Sequence, residues 1–225
     1  MFKKAIIVAI SASFIASAAF ADSTNIGVRL SATTLSASGT ETTDTATTVS
    51  QKEQEASFTL PSIFVERSMD IGTSFSLVVG LDFVPLTAEV DKLGGGDGTD
   101  ATISAGNLIT AYLQPSFSVN DTTKIFGKVG YAMGDLMIDD ITRQATTASQ
   151  TGDVASTEKS SDKDLEGPVL GVGIQINQDS GIFSFVRLEA TRTDFDQVSH
   201  KNSNGKTLTA DSEMDLMTIS FGKSF

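Results

Sequence analysis

The last eleven residues of the chain alternate between apolar and small or polar side chains. Met217, Ile219, Phe221 and Phe225 occupy odd positions, and the even positions from 218 to 224 carry only threonine, serine or glycine. A β-strand points alternate side chains to opposite faces. The segment is therefore predicted to be a strand with one apolar face, and it ends on an aromatic residue.

The first 21 residues have the pattern of a secretory signal peptide. Lys3 and Lys4 precede the apolar run Ala5–Ala18, and Ala19–Ala21 forms an A-x-A cleavage site. The run is shorter than the roughly 20 residues that a membrane helix needs. We therefore predict export, removal of residues 1–21, and one mature domain over residues 22–225.

The predicted mature domain is acidic and lacks cysteine. Removal of residues 1–21 takes away two of the 16 basic residues and none of the 28 acidic ones, so the net charge changes from −12 to −14. This charge disfavours nucleic-acid binding, and it disfavours an anionic membrane surface as the main partner. The absence of cysteine excludes a disulfide framework and a thiolate metal site.

Eight segments of alternating character follow one another, separated in turn by long and short connections. The predicted strands are Asn25–Ala32, Ala56–Ser68, Ser74–Val90, Asn107–Val119, Thr123–Ile138, Pro168–Asn177, Ile182–Phe195 and a last strand ending at Phe225. The predicted long loops are Thr33–Glu55, Asp91–Gly106, Asp139–Gly167 and Asp196–Lys206. Barrels of the outer membrane have short periplasmic turns, long external loops and strands of about 9–11 residues. The predicted fold is all-β, an eight-stranded antiparallel up-and-down transmembrane barrel, in the outer membrane of a Gram-negative bacterium.

If the apolar face of each strand points outward, three cations and three anions point into the lumen. These are Arg29, Glu66, Asp82, Lys128, Arg187 and Glu189. A buried charge without a partner costs roughly 3–5 kcal/mol, so equal numbers of the two signs predict a closed network of ion pairs. Phe64, Tyr112, Gln114 and Phe126 would share the lumen. Eight strands enclose room only for side chains or one small ligand, so the lumen is predicted to be plugged.

The alternation is weaker in the second and seventh predicted strands, so it defines their register less sharply. In the seventh, Phe183 and Phe185 would share a face with Arg187 and Glu189. A slip of one residue would exchange the two faces of a strand.

The chain resembles the small eight-stranded outer-membrane proteins of the A and X type. The resemblance lies in the segments Gly167–Gly173, Val186–Phe195 and Ile219–Phe225. It implies that Phe225, with Phe221, is the signal that the barrel-assembly machinery reads during insertion, and that luminal ion pairs fill the barrel. It also implies outer-membrane lipid as the surroundings, with no cofactor. The peptidoglycan-binding domain of the A-type proteins is not expected, because the sequence ends with the barrel.

Two patterns could indicate other chemistry, and both are better explained as surface loops. His200 lies in a predicted loop, near Asp211 and Glu213 on the next strand, and could belong to a serine-hydrolase site of the kind found in outer-membrane lipid deacylases. Asp91, Asp97 and Asp100 surround a glycine-rich loop and could bind a divalent cation weakly, but their spacing does not match the helix-loop-helix calcium motif. We therefore predict no enzyme activity and no metal site.

Three functions remain open from the sequence. The first is a monomeric structural or surface-interaction protein with a plugged lumen. The second is a transporter or weak porin for small or apolar solutes. The third is an exported soluble β-barrel or adhesin, which would have to tolerate an apolar exterior in water.

Overall fold

The computed structural model describes residues 23–42, 48–50, 54–85, 88–95, 99–143, 157–158, 161–179, 181–201 and 207–225. The predicted signal peptide and Asp97 lie outside these ranges. Within them, no helix is both long enough and apolar enough to cross a membrane.

The described chain is built from strands. They are β1 (Ser23–Thr42), β2 (Thr48–Ser50), β3 (Gln54–Ile71), β4 (Phe75–Phe83), β5 (Ala88–Gly95), β6 (Thr99–Ser118), β7 (Thr123–Arg143), β8 (Thr157–Glu158), β9 (Ser161–Asn177), β10 (Phe185–Lys201) and β11 (Thr207–Ser224). Strands β2, β5 and β8 are short additions that pair with β1, β6 and β7 respectively. The other eight form a closed ring in the order β1, β3, β4, β6, β7, β9, β10, β11, with every neighbouring pair antiparallel. The predicted eight-stranded antiparallel barrel is confirmed.

The tilt of the strands follows from the register. The ladder partners of Thr24 lead once around the barrel through Arg67, Val79, Leu113, Val129, Leu170, Arg192 and Asp215 to Thr34. One circuit therefore advances ten residues along β1, at about 3.3 Å each, while it crosses eight strands spaced about 4.8 Å apart. These lengths correspond to a tilt of roughly 40° from the barrel axis, which is typical of closed barrels.

An apolar belt surrounds the barrel next to its short turns. Each strand contributes exposed apolar side chains to this outer surface, among them Ile26, Val28, Leu30, Ile63, Leu113, Val129, Leu170, Val172, Leu188 and Met217. The alternating positions between them are buried or half-buried. We call the end with the short turns and the terminal residues Ser23 and Phe225 the turn end, and the opposite end the loop end.

Beyond the belt the ring of hydrogen bonds is interrupted at two places. The β3–β4 ladder ends at the pair Ile63 and Phe83, and each of these residues lies two positions from a proline, Pro61 or Pro85. The β9–β10 ladder ends at Val169, next to Pro168. Proline has no N–H to donate and is confined to the edges of sheets. In either direction around the ring, four strands lie between the two interruptions. The interruptions therefore lie on opposite sides of the barrel.

The loop end therefore consists of two four-stranded sheets that face each other. One contains β3, β1, β11 and β10, and the other contains β5, β6, β7 and β9. Their inner faces meet in an apolar layer formed by Leu35, Ala132, Leu165, Val169, Phe195 and Met214, with Phe58, Leu108, Val198 and Leu216 packed against it. Side-chain packing joins the sheets here, as in a β-sandwich.

Several predicted loops belong to strands instead. Residues 33–42 extend β1, residues 161–167 extend β9, and residues 196–201 extend β10. These segments lie beyond the belt, where water replaces lipid, so their outer faces are polar and the alternation is weak in sequence. The third predicted strand, Ser74–Val90, is wrong as one continuous element, because Pro85 separates β4 from β5.

Candidate functional site

Glu66 lies at the centre of a buried charge layer inside the barrel. Its side chain is fully buried, and Arg187 binds it with two donors, at 2.7 Å from Nη1 to Oε1 and 3.1 Å from Nη2 to Oε2. Arg29 Nη2 donates to Oε1 at 3.3 Å, and the Tyr112 hydroxyl donates to the same oxygen at 2.6 Å. One carboxylate therefore binds two guanidinium groups, which come from β1 and β10, the two strands that flank β11.

Two further ion pairs make the layer electrically neutral. Arg29 Nη1 lies 2.8 Å from Asp82 Oδ2, and Lys128 Nζ lies 2.5 Å from Glu189 Oε1. All of these side chains are buried. The structure thus brings the six charged residues of the predicted luminal network together into one layer, with three charges of each sign. We use the term charge layer for these six residues.

Aromatic rings surround the cations of the charge layer. The guanidinium carbon of Arg187 lies 4.9 Å from the ring centre of Phe185, 5.3 Å from that of Phe126 and 5.7 Å from that of Phe64. A cation over an aromatic face is attracted by the ring quadrupole, most strongly where water is excluded. The ring of Phe185 packs on the guanidinium of Arg187. This contact explains why Phe185 lies on the same luminal face as Arg187. Phe183 instead faces outward against Phe221, with ring centres 5.3 Å apart.

Glycines make room for these rings. Four inward-facing aromatic residues each lie directly across a ladder from a glycine: Phe64 from Gly27, Tyr112 from Gly80, Phe126 from Gly173, and Phe185 from Gly222. A Cβ atom added to any of these glycines would overlap the opposite ring. Each ring therefore lies flat across its neighbouring strand and fills the lumen beside the charge layer.

Little space remains around the charge layer. A cavity of about 50 Å³ lies between it and the apolar layer, lined by Arg29, Asp82, Lys128 and Glu189 together with Leu60 and Met214. A second cavity, of about 20 Å³, lies inside the apolar layer. Since one water occupies roughly 10–15 Å³ by this kind of measure, the larger cavity holds a few waters at most. A groove of about 1000 Å³ also follows the outside of the barrel, past Ala32, Gly127 and Ala190.

The remaining sequence-predicted residues lie away from this layer. Phe225 is 75% exposed at the turn end, and its backbone exchanges hydrogen bonds with Thr24 at 2.9 and 3.0 Å. His200 lies in β10, with Leu208 as its ladder partner, so its assignment to a loop was wrong. Asp91 and Asp100 lie in β5 and β6. In the part of the chain that the structure describes, no group of three or more His, Cys, Asp or Glu side chains could hold a metal ion.

Some partners of the charge layer were not assigned from the sequence. Gln175 Oε1 accepts hydrogen bonds from Arg187 at 2.8 and 3.2 Å, and Asn25 Nδ2 donates to Glu66 at 3.5 Å. Tyr112 was predicted to fill space, yet its hydroxyl also accepts a hydrogen bond from Arg29 at 2.6 Å. The sequence signal for these roles is the alternation itself, which places Asn25, Tyr112 and Gln175 on the luminal face.

Comparison with known proteins gives a family and a fold. A family model described as "Outer membrane protein beta-barrel domain" matches residues 6–224. No curated protein matches the chain.

Three solved structures illustrate the similarity of fold. Ail of Yersinia pestis aligns with 88% of this chain and 97% of its own at 8% identity and a TM-score of 0.38. The outer membrane protease OmpT of Escherichia coli aligns over 91% and 97% at 9% identity and a TM-score of 0.47. Neisserial surface protein A aligns over 87% and 97% at 10% identity and a TM-score of 0.37. At such values the likeness carries no argument about activity.

Proposed function

Because the chain belongs to the family of outer membrane protein β-barrel domains, we propose that it is a sealed, non-catalytic barrel of the outer membrane whose loop end serves as a surface for interactions outside the cell. The turn end faces the periplasm, as short turns do in such barrels. The proposed unit is a monomer, since the ring of strands closes within one chain.

The observation that carries the proposal is the filled lumen. The charge layer lies at the level of the belt, since Arg29 stands between Val28 and Leu30, and Arg187 between Val186 and Leu188. The enclosed space beside it amounts to about 50 Å³. An ion that crossed this layer would have to separate buried ion pairs, each of which costs several kcal/mol to break.

The loop end offers the proposed interaction surface. Strand β1 runs ten residues beyond Ala32, the last apolar residue of its outward face, and at a tilt of roughly 40° these residues extend about 25 Å along the barrel axis. The outer faces of β10 and β11 are acidic there. They carry Asp194, Asp196, Asp211, Glu213 and Asp215, with Arg192 as the cation that pairs with Glu213 and Asp215. Such a surface favours cationic partners.

Conductance in a planar bilayer tests the proposed seal. We expect the wild-type barrel to show no steady open-pore current, because the charge layer leaves no continuous path for hydrated ions. The double variant Glu66→Ala with Arg187→Ala removes the central pair and should raise the current, provided that its gel mobility still changes on boiling as a folded barrel's does. A large, steady current through the wild-type protein would contradict the proposal.

We also propose that Phe225 and Phe221 are the assembly signal. Phe221 belongs to β11, Phe225 directly follows the last residue of that strand, and Phe225 is accessible at the periplasmic end. Phe225→Ala should lower the yield of folded barrel when the assembly machinery inserts it, and should leave spontaneous folding into detergent unchanged. Ile182→Ala, at a similarly exposed apolar residue of the same end, is the matched control. Equal losses for Phe225→Ala in both assays would indicate a role in stability instead.

A further inference from the structure

Arg67 interrupts the apolar belt near the periplasmic end. On the outward face of β3 it stands between Met69 and Val65, and its ladder partners are Thr24 and Val79. Its side chain is half-buried, and it has no ion pair or hydrogen bond with any residue that the structure describes. A lipid-facing arginine costs about 2–4 kcal/mol at the bilayer midplane and about 0–1 kcal/mol near an interface. The position of Arg67 therefore calls for a polar group within reach of its side chain.

The register places Arg67 within one side-chain length of the periplasmic boundary. Four residues separate Arg67 from Ile71, where β3 ends, which at a tilt of roughly 40° corresponds to about 10 Å along the barrel axis. Long cationic side chains extend past apolar neighbours to bring their charge to an interface. The guanidinium of Arg67 can therefore reach the level of the lipid headgroups on the periplasmic side.

Lys223 provides a second outward cation at nearly the same height. It is exposed on β11 and pairs with Ile26 on β1, whereas Arg67 pairs with Thr24 on the other side of the same strand. Two strand spacings across and two residues along put the Cα atoms of Arg67 and Lys223 about 12 Å apart. Their side chains are long enough to converge in front of the first residues of β1, where Thr24 adds an outward-facing hydroxyl.

Arg192, the outward-facing cation nearer the loop end, differs from Arg67 and Lys223 in its ion-pair partners. Arg192 already has two carboxylates, with Nη2 at 2.6 Å from Asp215 and 3.4 Å from Glu213. Arg67 and Lys223 have no carboxylate among their outward ladder neighbours, which are Thr24, Val79, Ile26 and apolar residues. An anion from outside the chain can balance these two charges, and a bilayer supplies anionic lipid headgroups at this depth.

We propose that Arg67, Lys223 and Thr24 form a binding site for the phosphate of an anionic phospholipid in the periplasmic leaflet. The guanidinium of Arg67 binds two phosphate oxygens with parallel N–H donors, as arginine does with phosphate generally. Lys223 supplies a second charge and Thr24 a hydroxyl donor. The acyl chains then lie along the belt on β1 and β3. This site is separate from the proposed function, since neither the charge layer nor the loop end contributes to it.

Native mass spectrometry of the folded barrel tests the site. The protein would be released from mixed micelles that contain equal amounts of phosphatidylglycerol and phosphatidylcholine. The lipid molecules that remain bound to it would then be counted. We expect the wild type to retain phosphatidylglycerol several-fold more than phosphatidylcholine, and the double variant Arg67→Gln with Lys223→Gln to retain both equally. Arg67→Lys keeps the charge and should keep most of the preference. Arg192→Gln removes one outward cation near the other boundary and should leave the preference unchanged.

The outcomes separate a site from a general effect of charge. Absence of a preference in the wild type, or its persistence in the double variant, would overturn the proposal. So would its loss in Arg192→Gln, because net charge alone would then explain the retention. Inorganic phosphate at millimolar concentration should not displace the retained lipid, since the acyl chains also contribute to binding. Displacement would indicate an anion site without lipid specificity.

Discussion

Glu66→Gln should destabilise the barrel by about 3–5 kcal/mol, the cost of leaving a buried charge without its partner. The substitution preserves the shape of the side chain but removes its charge. The three cations Arg29, Lys128 and Arg187 then share only two carboxylates, those of Asp82 and Glu189. The chain has no tryptophan, so unfolding in urea is best followed in lipid vesicles by circular dichroism and by gel mobility.

Two comparisons make this prediction specific to charge balance. The double variant Glu66→Gln with Arg187→Gln restores neutrality, with Arg29–Asp82 and Lys128–Glu189 still paired, and should be more stable than Glu66→Gln alone. Glu213→Gln removes a carboxylate from an exposed ion pair with Arg192, and it should change stability little because water screens exposed charges. If the double variant proved as unstable as the sum of its single changes, the neutral charge layer would not be the source of the stability.

Gly27→Ala should destabilise the barrel by about 1–3 kcal/mol, the usual cost of forcing extra volume into a packed interior. A Cβ at this position would overlap the ring of Phe64 and the carbonyl oxygen of Phe221. The ring cannot move away freely, because it packs between Arg29, at 4.6 Å from its centre, and Phe185, at 6.2 Å. Relief of the overlap would therefore displace the cations of the charge layer.

Gly127→Ala is the matched control for Gly27→Ala. Gly127 faces outward on β7, and an added Cβ would meet only the carbonyl oxygen of Gly171, at 4.0 Å. The same chemical change is then expected to leave the unfolding midpoint nearly unchanged. Equal effects of the two substitutions would show that the loss of glycine from a strand, and not the contact with Phe64, determines the cost. Replacement of Phe64 by leucine in the Gly27→Ala background should recover part of the loss.

The belt half of the fold could be predicted from the sequence because lipid and lumen impose opposite demands on neighbouring residues. Leu30 faces out and Arg29 faces in, so strict alternation identifies both the strand and its register. The same alternation predicted that the six residues of the charge layer all point into the lumen. The contact of Phe185 with Arg187 was not predicted, because an apolar residue on a charged face contradicts simple alternation. The cation–π contact and the glycine across the ladder, Gly222, explain it.

The loop half could not be predicted in the same way. There the outer face meets water and the inner face is apolar, as Leu35, Phe195 and Met214 show, which reverses the pattern of the belt. Thr34, Ser36 and Ser38 carry little signal on the water side, so residues 33–42 read as a loop. Three of the four prolines, Pro61, Pro85 and Pro168, mark the transition. These prolines lie near the ends of the β3–β4 and β9–β10 ladders. They are the sequence signal that the loop end divides into two sheets.

Lipid is expected to surround the apolar belt, while the six residues of the charge layer lie inside the barrel. Methyl NMR in nanodiscs that contain nitroxide-labelled lipids tests this most directly, since the barrel supplies adjacent probes on opposite faces. The outward methyl groups of Val79, Val172 and Ile219 should relax strongly, whereas those of Val78 and Leu60, which are buried inside, should relax much less. Equal relaxation of Val78 and Val79, or protection of Ile219 and Val172 from the labelled lipid, would contradict the account.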